Sequence, residues 1–136
     1  MTVYVLDSSA LIRYLDKEAG GDRVKAILKA CVTGQAELHI SAVQWGEVAG
    51  NLRKRFGAQE EERVLSSLLP SDAEIVPASG ERAVRAAELR VDHRISYADA
   101  FALNLAMDSP QHVLITSDYG FKPVDNLAQI EFLPAK

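Results

Sequence analysis

Residues 1–10 read MTVYVLDSSA, and the apolar run Val3, Tyr4, Val5, Leu6 that stops at Asp7 decides the fold. A short β-branched and aromatic run, followed at once by Ser8, Ser9 and the apolar pattern Ala10, Leu11, Ile12, Tyr14, Leu15, reads as a buried strand feeding a helix. Asp7 then stands at the strand's carboxyl end. In open parallel α/β sheets, ligands bind along that edge, where strand-to-helix loops and helix N-termini gather. A single acid there has a plainer role as a helix cap, one for which Ser8 and Ser9 are equally suited. Its meaning depends on which other acids the fold brings beside it.

Downstream, strand and helix patterns alternate. Gly20 and Gly21 break the first helix, and a second runs from Asp22 to Thr33 with Val24, Ile27, Leu28 and Cys31 at helical spacing. A short strand, Glu37 to Ile40, precedes Ser41, which is placed to cap a helix that reaches Phe56 and closes at Gly57. Gln59 to Leu69 forms another helix, and the basic run Arg53, Lys54, Arg55 is expected in the joint between these two. Glu74 to Pro77 is a third strand. Ser79 opens an arginine-bearing helix, and Ser96 opens a helix from Tyr97 to Met107 that is apolar nearly all round and therefore buried. Val113 to Thr116 forms a fourth strand and Ile130 to Leu133 an edge strand. This order predicts an α/β fold: a three-layer α/β/α domain spanning residues 1–136 around a central parallel sheet of about five strands.

Composition narrows the function. The 136 residues are enough to bury a core without disulfides or a structural metal. A hydrophobic content of 48% and a charged content of 25% are ordinary for a globular protein. No apolar stretch is long enough to cross a bilayer, no signal peptide is evident, and the single Cys31 fits a reducing cytosol. A cytoplasmic location without membrane contact is expected. With a net charge of -4 the chain is not a general polyanion binder, so a nucleic-acid substrate would need local basic patches or metal ions to mask the acids.

Four acids can share one site. If the strands VYVLDSS and HVLITSD are neighbours, Asp7 and Asp118 emerge side by side, although Asp118 before Gly120 also suits a turn. Asp99 lies three residues after Ser96, as in a capping box, where the helix dipole favours an acid by roughly 0.3 to 1 kcal/mol. Its helix, however, has little polar surface besides Asn104 and Asp108, which points the carboxylate into a pocket. Glu47 is the only acid of its helix, and the small residues Gly46, Ala49 and Gly50 around it allow close approach by another helix or by a substrate. Converging carboxylates repel one another and raise their pKa values. Divalent cations resolve that repulsion, and oxygen-only ligands select Mg²⁺ or Mn²⁺ over zinc. His39, His93 and His112 are scattered and read as structural. With Ser9 and Thr116 as hydroxyl partners, such a cluster could activate water for attack on a phosphodiester.

The segments VYVLDSSALIRYL, ISAVQWGEV, ISYADAFALNLA and VLITSDYGF, in this order and spacing, resemble the PIN-domain ribonucleases, and within them the VapC-type toxins of type II toxin–antitoxin pairs. The resemblance implies a metal-dependent endoribonuclease that cleaves structured or single-stranded RNA. It makes Asp7, Glu47, Asp99 and Asp118 the catalytic acids, with Asp7, Asp99 and Asp118 holding Mg²⁺ or Mn²⁺. Glu47 would be a further ligand or would position water, and Ser9 and Thr116 match supporting hydroxyls. Many relatives carry another acid where this chain has Gly120, which puts a second metal position in question. The resemblance also implies an RNA substrate, a cognate antitoxin and a homodimer. Arg53, Lys54 and Arg55 could guide the RNA backbone, and the helices between Ser41 and Leu69, with Trp45 and Phe56, could supply partner surface.

Other readings fit less well. A haloacid dehalogenase-type phosphotransferase needs an acid where Ser9 stands, and a phosphoacceptor receiver domain needs an acid adjacent to Asp7. A PIN-like module that binds RNA or protein without turnover is the remaining alternative, and the presence of all four acids argues against it.

Overall fold

The computed structural model describes residues 1–136. Five strands, β1 (Val3–Leu6), β2 (Glu37–Ser41), β3 (Glu74–Val76), β4 (His112–Thr116) and β5 (Gln129–Phe132), form one sheet in the order β3-β2-β1-β4-β5. Every pairing is parallel, and β1 takes the centre. The helices are α1 (Ser8–Leu15), α2 (Gly21–Val32), α3 (Ala42–Phe56), α4 (Ala58–Leu68), α5 (Gly80–His93) and α6 (Tyr97–Ala106).

Successive residues of a strand face opposite sides of the sheet, and this divides the interior in two. Leu6 and Ile115 enter a core with Leu11, Val24, Ile27 and Leu52, covered by α1 to α4. Val5 and Leu114 enter a second core with Phe101, Leu103, Leu105 and Phe121, covered by α5 and α6. The apolar surround of α6 is accounted for, since Ala100 to Leu103, Leu105 and Ala106 are all buried.

Hydroxyl caps form where the sequence puts them. Ser41 accepts from the N–H of Val43 at 3.2 Å, Ser79 from that of Arg82 at 3.2 Å, and Ser96 from that of Asp99 at 3.1 Å. The turn between α1 and α2 depends on close approach. A Cβ on Gly20, which has φ +86°, would stand 2.8 Å from Cβ of Leu133, and one on Gly21 would stand 2.9 Å from the carbonyl oxygen of Arg13. Arg13 itself is buried and donates to the carbonyls of Ala19 at 2.7 Å and Pro134 at 2.8 Å, fastening the chain's last segment to its first helix.

Two expectations change. Arg53, Lys54 and Arg55 belong to the last turn of α3 and not to a joint, because Gly57 at φ +92° makes the turn by itself and cations suit a helix C-terminus. A 3-10 helix over Tyr119–Val124, unmarked by any periodicity, carries the chain from β4 toward β5.

Candidate active site

The parallel register of β1 and β4 sets Leu6 beside Ile115, and the N–H of Asp7 extends the ladder to the Ile115 carbonyl at 3.0 Å. Asp7 and Thr116 thus meet at the carboxyl edge. Oδ2 of Asp7 accepts from Thr116 Oγ1 at 2.8 Å and from Ser9 Oγ at 2.7 Å. The same two hydroxyls accept in turn, Ser9 Oγ from the N–H of Ser117 at 3.0 Å and Thr116 Oγ1 from the N–H of Asp118 at 2.9 Å. Asp7 occupies the N-cap position of α1, yet its side chain makes no cap bond. It is 2% exposed. Burial pushes its carboxyl pKa up; the two hydroxyls oppose that shift, and Glu47 and Asp118 add to it.

The other three acids come from three further elements. Glu47, exposed on α3, accepts from Ser8 Oγ through Oε1 at 3.0 Å. A Cβ on Gly46 or Gly50 would meet open space, so α3 is uncovered at these two positions beside Glu47. Asp118 leads the 3-10 helix, and its Oδ1 accepts from the N–H of Gly120 at 2.8 Å. A Cβ at position 120 would stand 2.9 Å from that oxygen, so an acid there would displace the Asp118 carboxylate. Asp99 lies half-buried in the first turn of α6. Its N–H uses Ser96 as a cap, but the reciprocal bond of a capping box, from the Ser96 N–H to the carboxylate, is not made.

Charge crowding follows from this placement. The Asp99 carboxyl is pushed up to about 7, first by burial, then by Asp7 and Asp118; the Ser96 hydroxyl opposes the shift and Glu47 adds to it. No basic side chain lowers it. Asp7, Glu47 and Asp118 each have one oxygen held by the chain and the other without a hydrogen bond: Oδ1, Oε2 and Oδ2. In donor type and charge the residues fit a hard divalent cation. No three acids are grouped closely enough to hold an ion between them as placed. These acids line none of the four main cavities.

The basic run is differently engaged. Arg53 pairs with Glu61 at 3.2 Å and Arg55 with Asp16 at 3.0 Å, while Lys54 pairs with no acid. His112 is buried with Nδ1 at 2.9 Å from the Leu105 carbonyl, and His39 meets its ring edge-on at 5.5 Å. Two residues beside the site escaped sequence reasoning. Ser8 orients Glu47. Gln44, fully buried on α3, donates from Nε2 to the Ala98 carbonyl at 2.5 Å and so ties the helix of Glu47 to the turn that carries Asp99. The available signal was a polar residue three positions before Glu47, on the side of α3 that also carries Val48.

Comparison with known proteins shows the family and the fold. The family model of the PIN domain matches residues 4–127. No curated protein matches the chain at a significant level. Among solved structures the chain is similar to VapBC2 from Rickettsia felis bound to a promoter DNA fragment, at 20% identity and a TM-score of 0.76, covering 98% of this chain and 100% of that one. It is similar to the sarcin–ricin loop-cleaving toxin VapC20 of Mycobacterium tuberculosis, at 16% identity and a TM-score of 0.72, covering 98% and 100%. A toxin–antitoxin complex from Klebsiella pneumoniae matches at 26% identity and a TM-score of 0.66, covering 87% and 89%.

Proposed function

The chain belongs to the PIN-domain family, and from that premise we propose that it is a Mg²⁺- or Mn²⁺-dependent endoribonuclease, the toxin of a VapBC-type toxin–antitoxin pair. One observation carries the reading. Three of the four acids on the carboxyl edge have one oxygen fixed by the chain and one left over; Asp118 fixes its own as a helix cap, but Asp7 makes no cap bond and Glu47 is held by Ser8, an arrangement that orients ligands.

Asp7, Asp99 and Asp118 are the residues that would hold the cation, with Glu47 as a further ligand or as the positioner of a water. A bound divalent ion supplies neutralising charge at the phosphate and eases deprotonation of water. The chain's own contribution is placement. Ser9 and Thr116 hold Oδ2 of Asp7 and leave Oδ1 available to a ligand; Ser8 holds Oε1 of Glu47 and leaves Oε2 available. Gln44 keeps Asp99 and Glu47 at a fixed separation. Single-stranded or looped RNA is the substrate class, because a splayed backbone reaches an edge bounded by helices. Arg53, Lys54 and Arg55 guide that backbone, the two arginines only after releasing Glu61 and Asp16. A cognate antitoxin and a homodimer complete the reading, and the solved VapBC complexes among the similar structures support the antitoxin.

The test is Asp7→Asn. RNA cleavage in Mn²⁺ is expected to fall by roughly a hundredfold or more while circular dichroism stays unchanged, and expression of the wild type alone is expected to arrest growth. Equal cleavage by the mutant sinks the assignment. Binding of RNA without cleavage by either protein makes the chain a binding module.

A further inference from the structure

Thr116, whose hydroxyl binds Asp7, is the register partner of Phe132 at the end of the edge strand β5. One strand outward from the acids, therefore, the carboxyl edge of the sheet ends in an aromatic ring. Tyr119, the residue directly after Asp118, meets that ring edge-on with centroids 5.4 Å apart. Its hydroxyl donates to the Leu133 carbonyl at 2.9 Å, which fixes the ring while leaving the residue 44% exposed. Lys122 Nζ stands 4.1 Å from the Phe132 centroid and 5.8 Å from that of Tyr119.

Lys122, like Lys54, takes part in none of the chain's ion pairs, whereas Arg23, Arg53, Arg55 and Arg82 are each paired with a carboxylate; what sets Lys122 apart is that its ammonium lies beside two aromatic rings. A polyanion approaching four acids is repelled, and an unpaired ammonium at their flank offsets part of that repulsion for a phosphate. A fixed, exposed ring beside that ammonium offers a stacking face, and bases of single-stranded nucleic acid stack on such faces irrespective of sequence. We propose that Tyr119 and Lys122 form a nucleotide subsite adjoining the acids, with a base of single-stranded RNA stacked on the Tyr119 ring and its phosphate held by Lys122. The subsite rests on the ribonuclease reading for its substrate class, but not on turnover.

The experiment measures fluorescence anisotropy of a fluorescein-labelled, random-sequence single-stranded RNA, with Ca²⁺ as the only divalent cation to mask the acids. Tyr119→Ala is expected to weaken binding about tenfold and Tyr119→Trp to restore it, because stacking is tolerant of ring type. Lys122→Gln is expected to reduce the slope of log affinity against log salt by about 0.7, the value for one phosphate contact on a single strand. Binding by Tyr119→Ala equal to that of the wild type overturns the subsite, as does an unchanged salt slope in Lys122→Gln or a wild type that binds no RNA. Cleavage by the wild type in Mn²⁺, assayed in parallel, reports on the ribonuclease reading separately: a protein that binds through Tyr119 but never cuts loses the nuclease assignment and keeps the subsite.

Discussion

Asp99 carries its raised pKa into the stability of the protein with a definite sign. Its carboxyl titrates near 3.8 when unfolded and at about 7 when folded, so between those values the folded state binds more protons. Stability is therefore lost as pH rises from about 4 to about 7. Asp7, raised mainly by burial, acts in the same direction. Melting of chelator-treated wild type across this window is expected to fall relative to Asp99→Asn, and Mn²⁺ is expected to restore the wild type above pH 7 but not the mutant; parallel curves with no metal response refute the crowding. Ser8 gives a contrasting case. Its hydroxyl touches only Glu47, at an exposed position, so Ser8→Ala is expected to leave the melting temperature unchanged while cleavage drops roughly tenfold from misplacement of that carboxylate. The acids were legible in the sequence because each breaks an apolar or small-residue pattern. Ser8 and Gln44 were not, since their partners lie 39 and 54 positions away and only the packing of helices brings them together.

At the scale of elements, one hydrogen bond, from the buried Gln44 side chain to Ala98, ties α3 to α6. Replacing Gln44 by Leu removes its bond to Ala98 but also the buried Oε1 that has no partner, so the fold is expected to change in stability by less than about 1 kcal/mol. Cleavage is nevertheless expected to fall severalfold, because Asp99 and Glu47 are no longer held in register; urea denaturation and a single-turnover assay separate the two effects. Arg13 behaves in the opposite way. Arg13→Met strips the Ala19 and Pro134 carbonyls of their donor in a buried place, and a loss of about 2 to 3 kcal/mol in unfolding free energy is expected from urea denaturation, with any surviving folded protein fully active. The elements themselves were read to within a residue or two, because caps and apolar periodicity mark them locally. The 3-10 helix was missed for a physical reason: its turns are set by the Asp118 carboxylate folding back on Gly120 and by Phe121 and Val124 dropping into the core, neither of which leaves a period in the sequence.

For the whole molecule, alternation of strand and helix was enough to predict three layers around a parallel sheet. The neighbourhood of β1 and β4 was only a condition of the argument, since nothing in either strand names its partner. That pairing is what gathers the site, because Asp7 and Thr116 stand 109 positions apart. The central strand also precedes every other strand along the chain, and this has a consequence in time. While the chain is being made, Asp7 has neither its Thr116 hydroxyl nor Asp118 beside it until more than a hundred further residues have followed, and contacts between such distant parts form late in folding. The proposed site is therefore complete only once β4 has docked beside β1, and a chain in which that pairing is prevented is expected to lack any activity the acids supply.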